Sequence, residues 1–236
     1  LSEDFLTAAI AAIPSFVEKA FTENFGLRIH SGKLALQQEV VKVYVEKLIR
    51  QDLELVRTLG KEKSELQLLA LEQELSASLQ VEIAGKAETV YIKGKADRID
   101  RLKHKIRIVD YKSSIKTNDS FSFTEMDLLF SDVKYNKQLQ LLLYAWMYYK
   151  NNPDHVALLE PCIIPFKKFG ETKYIKLGKE KNSLPFTKEL FTNFETALSK
   201  FIAGIFEVET SFLQTDDEDL HTYCAYSSIC GFAKAD

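Results

Sequence analysis

The chain has 236 residues, of which 46% are hydrophobic and 28% are charged, and its formal net charge is -3. These values are typical of a globular protein that can bury a sizeable core, and we expect one domain. Three cysteines are too few for a disulfide framework, and neither an 18-residue apolar run nor a secretory leader pattern is present. We therefore expect a soluble, cytoplasmic protein without a membrane partner. Because the chain begins at Leu1 rather than at a methionine, we also expect it to be a piece of a longer protein.

Two helices are predicted first. Apolar residues recur at three- and four-residue spacing over residues 3–24, where Pro14 predicts a kink or break, and over residues 34–59, where Gly60 predicts the end. We interpret residues 1–65 as an N-terminal helical region packed on a core.

Residues 66–236 are predicted to form that core. Short apolar runs with partial alternation predict a meander of strands, which includes ADRIDRL and KIRIVDYKSS joined by a turn at residues 103–105. The later predictions are a loop with a helical turn (116–133), a helix (134–150), strands (155–165 and 172–177) and a helix (185–207) opened by Pro185 and Thr187.

Basic residues concentrate in one segment of this acidic chain. Residues 93–116 contain nine Lys or Arg and three Asp, a balance of +6, whereas the rest of the chain carries -9. The segment is either a local basic stripe that accepts a polyanion or a solvated hairpin, and charge alone favours the hairpin.

Two aspartates and a lysine in this segment suggest chemistry. Side chains alternate along a strand, so Asp110 and Lys112 share a face, and a hairpin through residues 103–105 could bring Asp97 beside Asp110. Two adjacent carboxylates resist joint ionisation, which raises one pKa or calls for a divalent cation. Oxygen ligands suit Mg²⁺ or Mn²⁺ and predict phosphoryl transfer. The alternative is an exposed hairpin with ion pairs worth under about 1 kcal/mol each. The apolar run before Asp110 favours the site, because a buried carboxylate without a partner is costly.

Three motifs then resemble a known family. GKADRID, IVDYKSS and QLLLY (140–144) resemble, in this order, motifs of the PD-(D/E)XK nuclease superfamily, specifically the RecB/AddB-type nuclease domain of bacterial recombination and repair helicase-nucleases. The likeness covers residues 66–232 and implies a restriction-endonuclease-like α/β core, with a mixed central sheet flanked by helices. It implies roles for six residues: metal binding by Asp97, Asp110 and the main-chain carbonyl of Tyr111, catalysis by Lys112, and support of the site or contact with DNA by Gln140 and Tyr144.

The implied activity is Mg²⁺- or Mn²⁺-dependent hydrolysis of DNA, with single strands as the substrate. The implied partner is a helicase subunit or the upstream part of the same polypeptide. The alternative is a noncatalytic module that keeps the nuclease fold for DNA binding or subunit docking. For Gln140 and Tyr144 the other interpretation is the polar edge of a buried helix.

One family motif is missing. The family has a helix ahead of its sheet with a G-x-x-H-x-x-L-E-like motif whose His or Glu completes the metal site, and nothing in residues 1–65 matches it, since His30 lacks the spacing. We expect this helix to lie upstream of Leu1, which would leave the chain folded but catalytically weakened. Glu72 is the best remaining acid, at the family's first-strand position, or else a surface glutamate.

The tail resembles a degraded cluster site. Some relatives bind a 4Fe–4S cluster through a terminal C-x2-C-x5-C set, and here the set reads His221, Cys224 and Cys230. Two cysteines and one histidine are insufficient for such a cluster, and zinc would need a fourth ligand. We expect no iron–sulfur cluster, with Cys224 and Cys230 packed as small hydrophobic residues and Cys162 in the core.

Overall fold

The computed structural model describes residues 1–26, 32–113, 121–168, 170–178, 183–209, 211, 224–226 and 229. The helices are α1 (Glu3–Phe25), α2 (Gly32–Lys61), α3 (Leu128–Ser131), α4 (Asn136–Asn151) and α5 (Lys188–Ile205). The strands are β1 (Leu66–Ile83), β2 (Lys86–Leu102), β3 (Lys105–Lys112), β4 (Ser122–Phe123), β5 (Cys162–Pro165), β6 (Lys173–Tyr174) and β7 (Lys176–Leu177).

The central sheet is mixed. Its five strands lie in the order β1-β2-β3-β5-β6, and β3 pairs in parallel with β5 while the other neighbours are antiparallel. A separate parallel pair joins β4 to β7. The predicted α/β class, a mixed sheet flanked by helices, is confirmed.

The first three strands form the predicted meander. A two-residue turn joins β1 to β2, and both of its residues, Ala84 and Gly85, have positive φ values of 49° and 75°. This is the backbone conformation that matches the twist of a hairpin. Residues 86–102 form one continuous strand rather than two. A turn that begins with a positive φ at Lys103 then leads into β3.

The first helix begins and ends at well-formed caps. Ser2 accepts a hydrogen bond from the amide of Phe5, and Gly26 ends the helix with a φ of 72°. The predicted break at Pro14 is wrong, since α1 continues through it, and α2 likewise runs past Gly60 to Lys61. A proline removes one helical hydrogen bond, and here the surrounding turns keep the helix continuous.

Among the described residues, α1 is one helix that is long and apolar enough to cross a membrane. Length and composition alone do not separate a spanning helix from a core helix or an N-terminal signal sequence. Three of its residues are buried, namely Leu6, Ile13 and Val17, and the helix packs on α2.

The main core lies between the sheet and helices α4 and α5. Trp146 of α4 and Phe191 and Phe194 of α5 are fully buried, as are Ile106 and Ile108 of β3. A second, smaller cluster brings Leu48 of α2 against Val109, Cys162 and Ile164. Helix α4 therefore packs on one face of β3, and α2 packs on the opposite face.

Two predicted strands differ from the structure. The strand predicted over residues 155–165 begins only at Cys162, because Pro153–Leu158 forms a 3-10 helix. Pro153 opens that helix, because its fixed φ suits a first helical turn. The strand predicted over residues 172–177 is split into β6 and β7, which belong to different sheets. The final helix begins at Lys188, after the predicted Thr187, whose hydroxyl accepts from the amide of Leu190 at 3.1 Å.

Candidate active site

Strand β3 carries three of the predicted site residues, Asp110, Tyr111 and Lys112. The residues before them, Ile106 to Val109, are buried, and Asp110 itself is only 4% exposed. The ammonium of Lys112 donates a hydrogen bond to Oδ1 of Asp110 at 3.1 Å and lies 2.8 Å from Oδ2. Alternation along the strand thus places both side chains on one face, as predicted.

Asp97 lies where the pairing between β2 and β3 ends. The paired residues run from Leu102 and Lys105 to Arg98 and Val109. Two residues beyond Val109, the amide of Tyr111 donates instead to the carboxylate of Asp97, with a nitrogen to Oδ2 distance of 2.7 Å. The Asp97 carboxylate therefore takes the place of a strand carbonyl and is held beside β3.

The charge of Asp97 acts on the carboxyl group of Asp110. Burial raises the pKa of Asp110 above its ordinary value, the hydrogen bond and charge of Lys112 oppose this, and the negative charge of Asp97 raises it further. The net direction is upward. Burial is the largest of these effects, and the hydrogen bond and charge of Lys112 offset it only in part.

Helix α4 contacts the site through one polar edge. Gln140 donates from Nε2 to Oδ1 of Asp110 at 3.2 Å and to the hydroxyl of Tyr144 at 2.9 Å. The two α4 residues are four positions apart and so share a helical face. The structure thus brings Gln140 into contact with Asp110, and it brings Tyr144 into contact with Gln140.

A glycine lets α4 come this close. A Cβ added to Gly94 of β2 would lie 2.8 Å from Cε1 of Tyr144 and 2.9 Å from Cε of Met147. A side chain at this position would therefore push Tyr144 away from the sheet.

The donor atoms fit a hard divalent cation. Oδ2 of Asp110 is buried, and the ammonium of Lys112 lies 2.8 Å from it. With the neighbouring Asp97, the site offers carboxylate oxygens, the ligand type that Mg²⁺ prefers, and this ion keeps waters and phosphate oxygens as its remaining ligands. In the described part of the chain, no group of three or more His, Cys, Asp or Glu is arranged to hold a metal.

A buried ion network, which the sequence patterns did not predict, lies behind these residues. Arg98 contacts Asp52 of α2 and Asp100 of β2, and Arg107 donates twice to Asp100 at 2.7 and 2.8 Å. All four side chains are buried. The sequence indicates part of this network. Arg98 and Asp100 flank the buried Ile99 in a central strand, and charged side chains that are buried there require partners. The partner Asp52 is 46 residues from Arg98 and left no local signal.

The basic segment is therefore not one surface stripe. Arg98 and Arg107 point into the protein, while Lys95 and Lys103 form exposed ion pairs with Glu72 and Glu62. The simple solvated hairpin is also wrong, since two of its arginines are internal.

Other candidate residues are placed as follows. Glu72 is exposed, and its φ of 52° is unusual inside a strand. Cys162 is fully buried in β5, as predicted. Cys224 is partly buried, whereas His30, His221 and Cys230 lie outside the described residues.

The fold and the paired carboxylates are those of a nuclease-type α/β protein. Residues 6–231 match the family model described as the PD-(D/E)XK nuclease superfamily. The chain belongs to this superfamily. No curated protein matches the sequence. Among solved structures, the chain is similar to the "Crystal structure of SSO0001", with 15% identity, coverage of 94% of this chain and 98% of that chain, and a TM-score of 0.34.

Proposed function

We propose that the chain is the catalytic domain of a RecB/AddB-type nuclease that hydrolyses DNA phosphodiesters with Mg²⁺ or Mn²⁺. The observation that carries this proposal is the juxtaposition of Asp97, Asp110 and Lys112 on β2 and β3, the arrangement that the motif resemblance implies. Nuclease-type function follows from the family, and the subtype, ion and substrate are the proposed part.

Each residue has a distinct task in this proposal. Asp97, Asp110 and the carbonyl of Tyr111 hold the cation, which when bound supplies Lewis-acid polarisation of the phosphodiester. The ammonium of Lys112 offsets charge that develops on the phosphate and orients the attacking water. Gln140 fixes the orientation of the Asp110 carboxylate through its 3.2 Å hydrogen bond.

The proposed substrate is single-stranded DNA, and the proposed partner is a helicase subunit or an upstream part of the same polypeptide. Both follow from the resemblance, whereas the proposed cytoplasmic location follows from the small number of cysteines. Substrate choice can be tested directly, because end-labelled single-stranded DNA, duplex DNA and RNA of one sequence can be compared in the same assay.

The test of the site compares Asp110→Ala and Lys112→Ala with wild type. Removing Asp110 deletes a ligand, so we expect loss of both Mn²⁺ binding by calorimetry and Mg²⁺-dependent cleavage. Removing Lys112 leaves the oxygens in place, so we expect Mn²⁺ binding to remain and cleavage to fall by about 10²-fold or more.

Lys103→Ala is the matched control, since Lys103 belongs to the same hairpin but forms an exposed ion pair. It should bind Mn²⁺ and cleave as wild type does. Cleavage by Asp110→Ala at the wild-type rate would contradict the proposal.

A noncatalytic module is the second candidate. It is favoured by the absence of a third acidic or histidine ligand from the described part of the chain. A chain of this kind would bind DNA without heat from Mn²⁺ and without cleavage in any divalent ion.

A further inference from the structure

Tyr111 connects the candidate site to the buried ion network. Its amide holds the carboxylate of Asp97 at 2.7 Å, so the backbone position of Tyr111 decides where that carboxylate lies. Its hydroxyl lies 3.4 Å from Nη1 of Arg98. Its ring stacks on Phe166 with 5.4 Å between the ring centroids. The side chain of Tyr111 thus joins the residue that holds Asp97 to Arg98 and to Phe166.

Arg98 is itself fixed by two carboxylates. Its Nη1 donates to Oδ2 of Asp52 at 2.6 Å, and its Nε lies 2.6 Å from Oδ2 of Asp100. Because Asp52 belongs to α2, this ion pair ties α2 to the strand that carries the site. Phe166 repeats the connection, since it also stacks on Tyr44 of α2 with 5.6 Å between centroids.

Stability alone does not account for such a network. Buried ion pairs are often no more stable than apolar residues of similar volume, because removing charges from water offsets most of their attraction. The contacts of this ion network can instead hold a neighbouring group in a precise position. Outer contacts that orient metal ligands commonly change metal affinity or activity by 10- to 100-fold.

We propose that Arg98, held by Asp52, is a positioning residue that fixes Tyr111 and thereby keeps the Asp97 carboxylate beside Asp110. The proposal rests on the proposed function for its metal-binding consequence, but the placement of Asp97 is a structural statement of its own. In this role neither Arg98 nor Asp52 would contact the substrate or the cation.

The chain contains a matched control for this idea. Arg107 is as buried as Arg98 and contacts the same Asp100, but among the described residues it forms no hydrogen bond or ion pair with Asp52 or Tyr111. The same change, arginine to lysine, therefore perturbs the network in both cases but reaches Tyr111 only at Arg98.

The experiment measures the amide of Tyr111 by NMR in the whole chain without metal. A short hydrogen bond to a carboxylate moves an amide proton downfield and protects it from exchange. We expect Arg98→Lys and Asp52→Asn to move the Tyr111 signal upfield and to speed its exchange. Arg107→Lys should leave both unchanged. Dispersion of the remaining amide signals reports whether each variant is folded. If a single change unfolds the chain, the double variant Asp52→Asn with Arg98→Met replaces it, because this variant removes both charges of the ion pair.

Mn²⁺ calorimetry on the same variants gives the second readout. We expect the dissociation constant to rise about tenfold for Arg98→Lys and Asp52→Asn and to stay at the wild-type value for Arg107→Lys. An unchanged Tyr111 amide in folded Arg98→Lys and Asp52→Asn overturns the proposal, and so does an equal change in Arg107→Lys. A wild-type chain that binds no Mn²⁺ and cleaves nothing, while its Tyr111 amide responds as described, overturns the proposed function and leaves the positioning role standing.

Discussion

The fold disfavours the ionised form of Asp110, although the proposed chemistry needs this carboxylate to be ionised. Burial raises its pKa, and the charge of Asp97 adds to the effect of burial despite the opposing hydrogen bond from Lys112. The folded chain therefore keeps a proton on this group at pH values where the unfolded chain has already lost it. It follows that the free energy of unfolding contributed by Asp110 falls as the pH rises from the ordinary aspartate pKa through the raised one.

Asp110→Asn should therefore be more stable than wild type at pH 7, although it loses cleavage. Near pH 3, where wild-type Asp110 is protonated in both states, the difference should become small. Urea denaturation at both pH values measures this, with the exposed Asp154→Asn as a control that keeps the wild-type pH profile. A lower unfolding free energy of Asp110→Asn at pH 7 would show that the ionised carboxylate stabilises the fold.

Glu72 shows a second local conflict, in the backbone. It has a φ of 52° inside β1, a conformation that costs a non-glycine residue about 1–2 kcal/mol. We predict that Glu72→Gly is more stable than Glu72→Ala by about 1 kcal/mol. Glu74 lies two residues along the same strand and has no positive φ. There the alanine variant should have a free energy of unfolding about 0.5–1 kcal/mol higher than the glycine variant. Urea midpoints of the four variants measure these differences. If alanine is more stable than glycine at both positions, the backbone of Glu72 is not strained.

At the scale of elements, the approach of α4 to β2 places the polar edge of the helix at the site. Gly94→Ala puts a methyl group within 3 Å of both Tyr144 and Met147. Overpacking of this kind costs about 1–3 kcal/mol. It should also displace Tyr144 from Gln140, which donates to its hydroxyl.

We therefore predict a lower unfolding free energy and slower cleavage for Gly94→Ala. Gly60→Ala is the control, since Gly60 lies inside α2 with open space around it, and alanine there should stabilise the chain by about 0.5–1 kcal/mol. Thermal denaturation and the cleavage assay measure both variants. Equal stability of Gly94→Ala and wild type would mean that α4 can shift freely on the sheet.

The hairpin that carries the carboxylates was predictable because its signals are local. Alternation along residues 105–112 and a two-residue turn were enough to place Asp97 near Asp110. The helix over residues 136–151 was likewise predictable, since its apolar residues cover most of its surface. In contrast, the strand predicted from residue 155 failed because the proline at 153 favours a helical turn more strongly than the apolar residues favour a strand.

The contacts that fix the site from behind were not predictable. The pair of Asp52 and Arg98 joins residues 46 positions apart, and it depends on where α2 lies on the sheet. No periodicity encodes that position. The same holds for the positive φ of Glu72, because this backbone conformation conflicts with the preference of a non-glycine residue.

At the scale of the whole molecule, the site joins elements that are distant in the chain. Asp97 lies on β2, Asp110 on β3 and Gln140 on α4, and the network behind them reaches α2. A cation held by Asp97 and Asp110 would bridge two strands in the folded state only. Any ligand that binds the folded state alone raises the free energy of unfolding by an amount set by its concentration and affinity.

We predict that Mn²⁺ at 100 times its dissociation constant stabilises the wild-type chain by about 2.7 kcal/mol. For a chain of this size each kcal/mol raises the melting temperature by about 2–4 °C, so a rise of about 5–10 °C is expected. Asp110→Asn, which lacks the ligand, should show no rise, and Lys112→Ala, which keeps the oxygens, should show most of it. Thermal denaturation at constant ionic strength measures the three chains, with K⁺ in place of Mn²⁺ as the control. An equal rise in Asp110→Asn would place the bound ion elsewhere in the protein, because a site that lacks one of its two carboxylates cannot keep the same affinity.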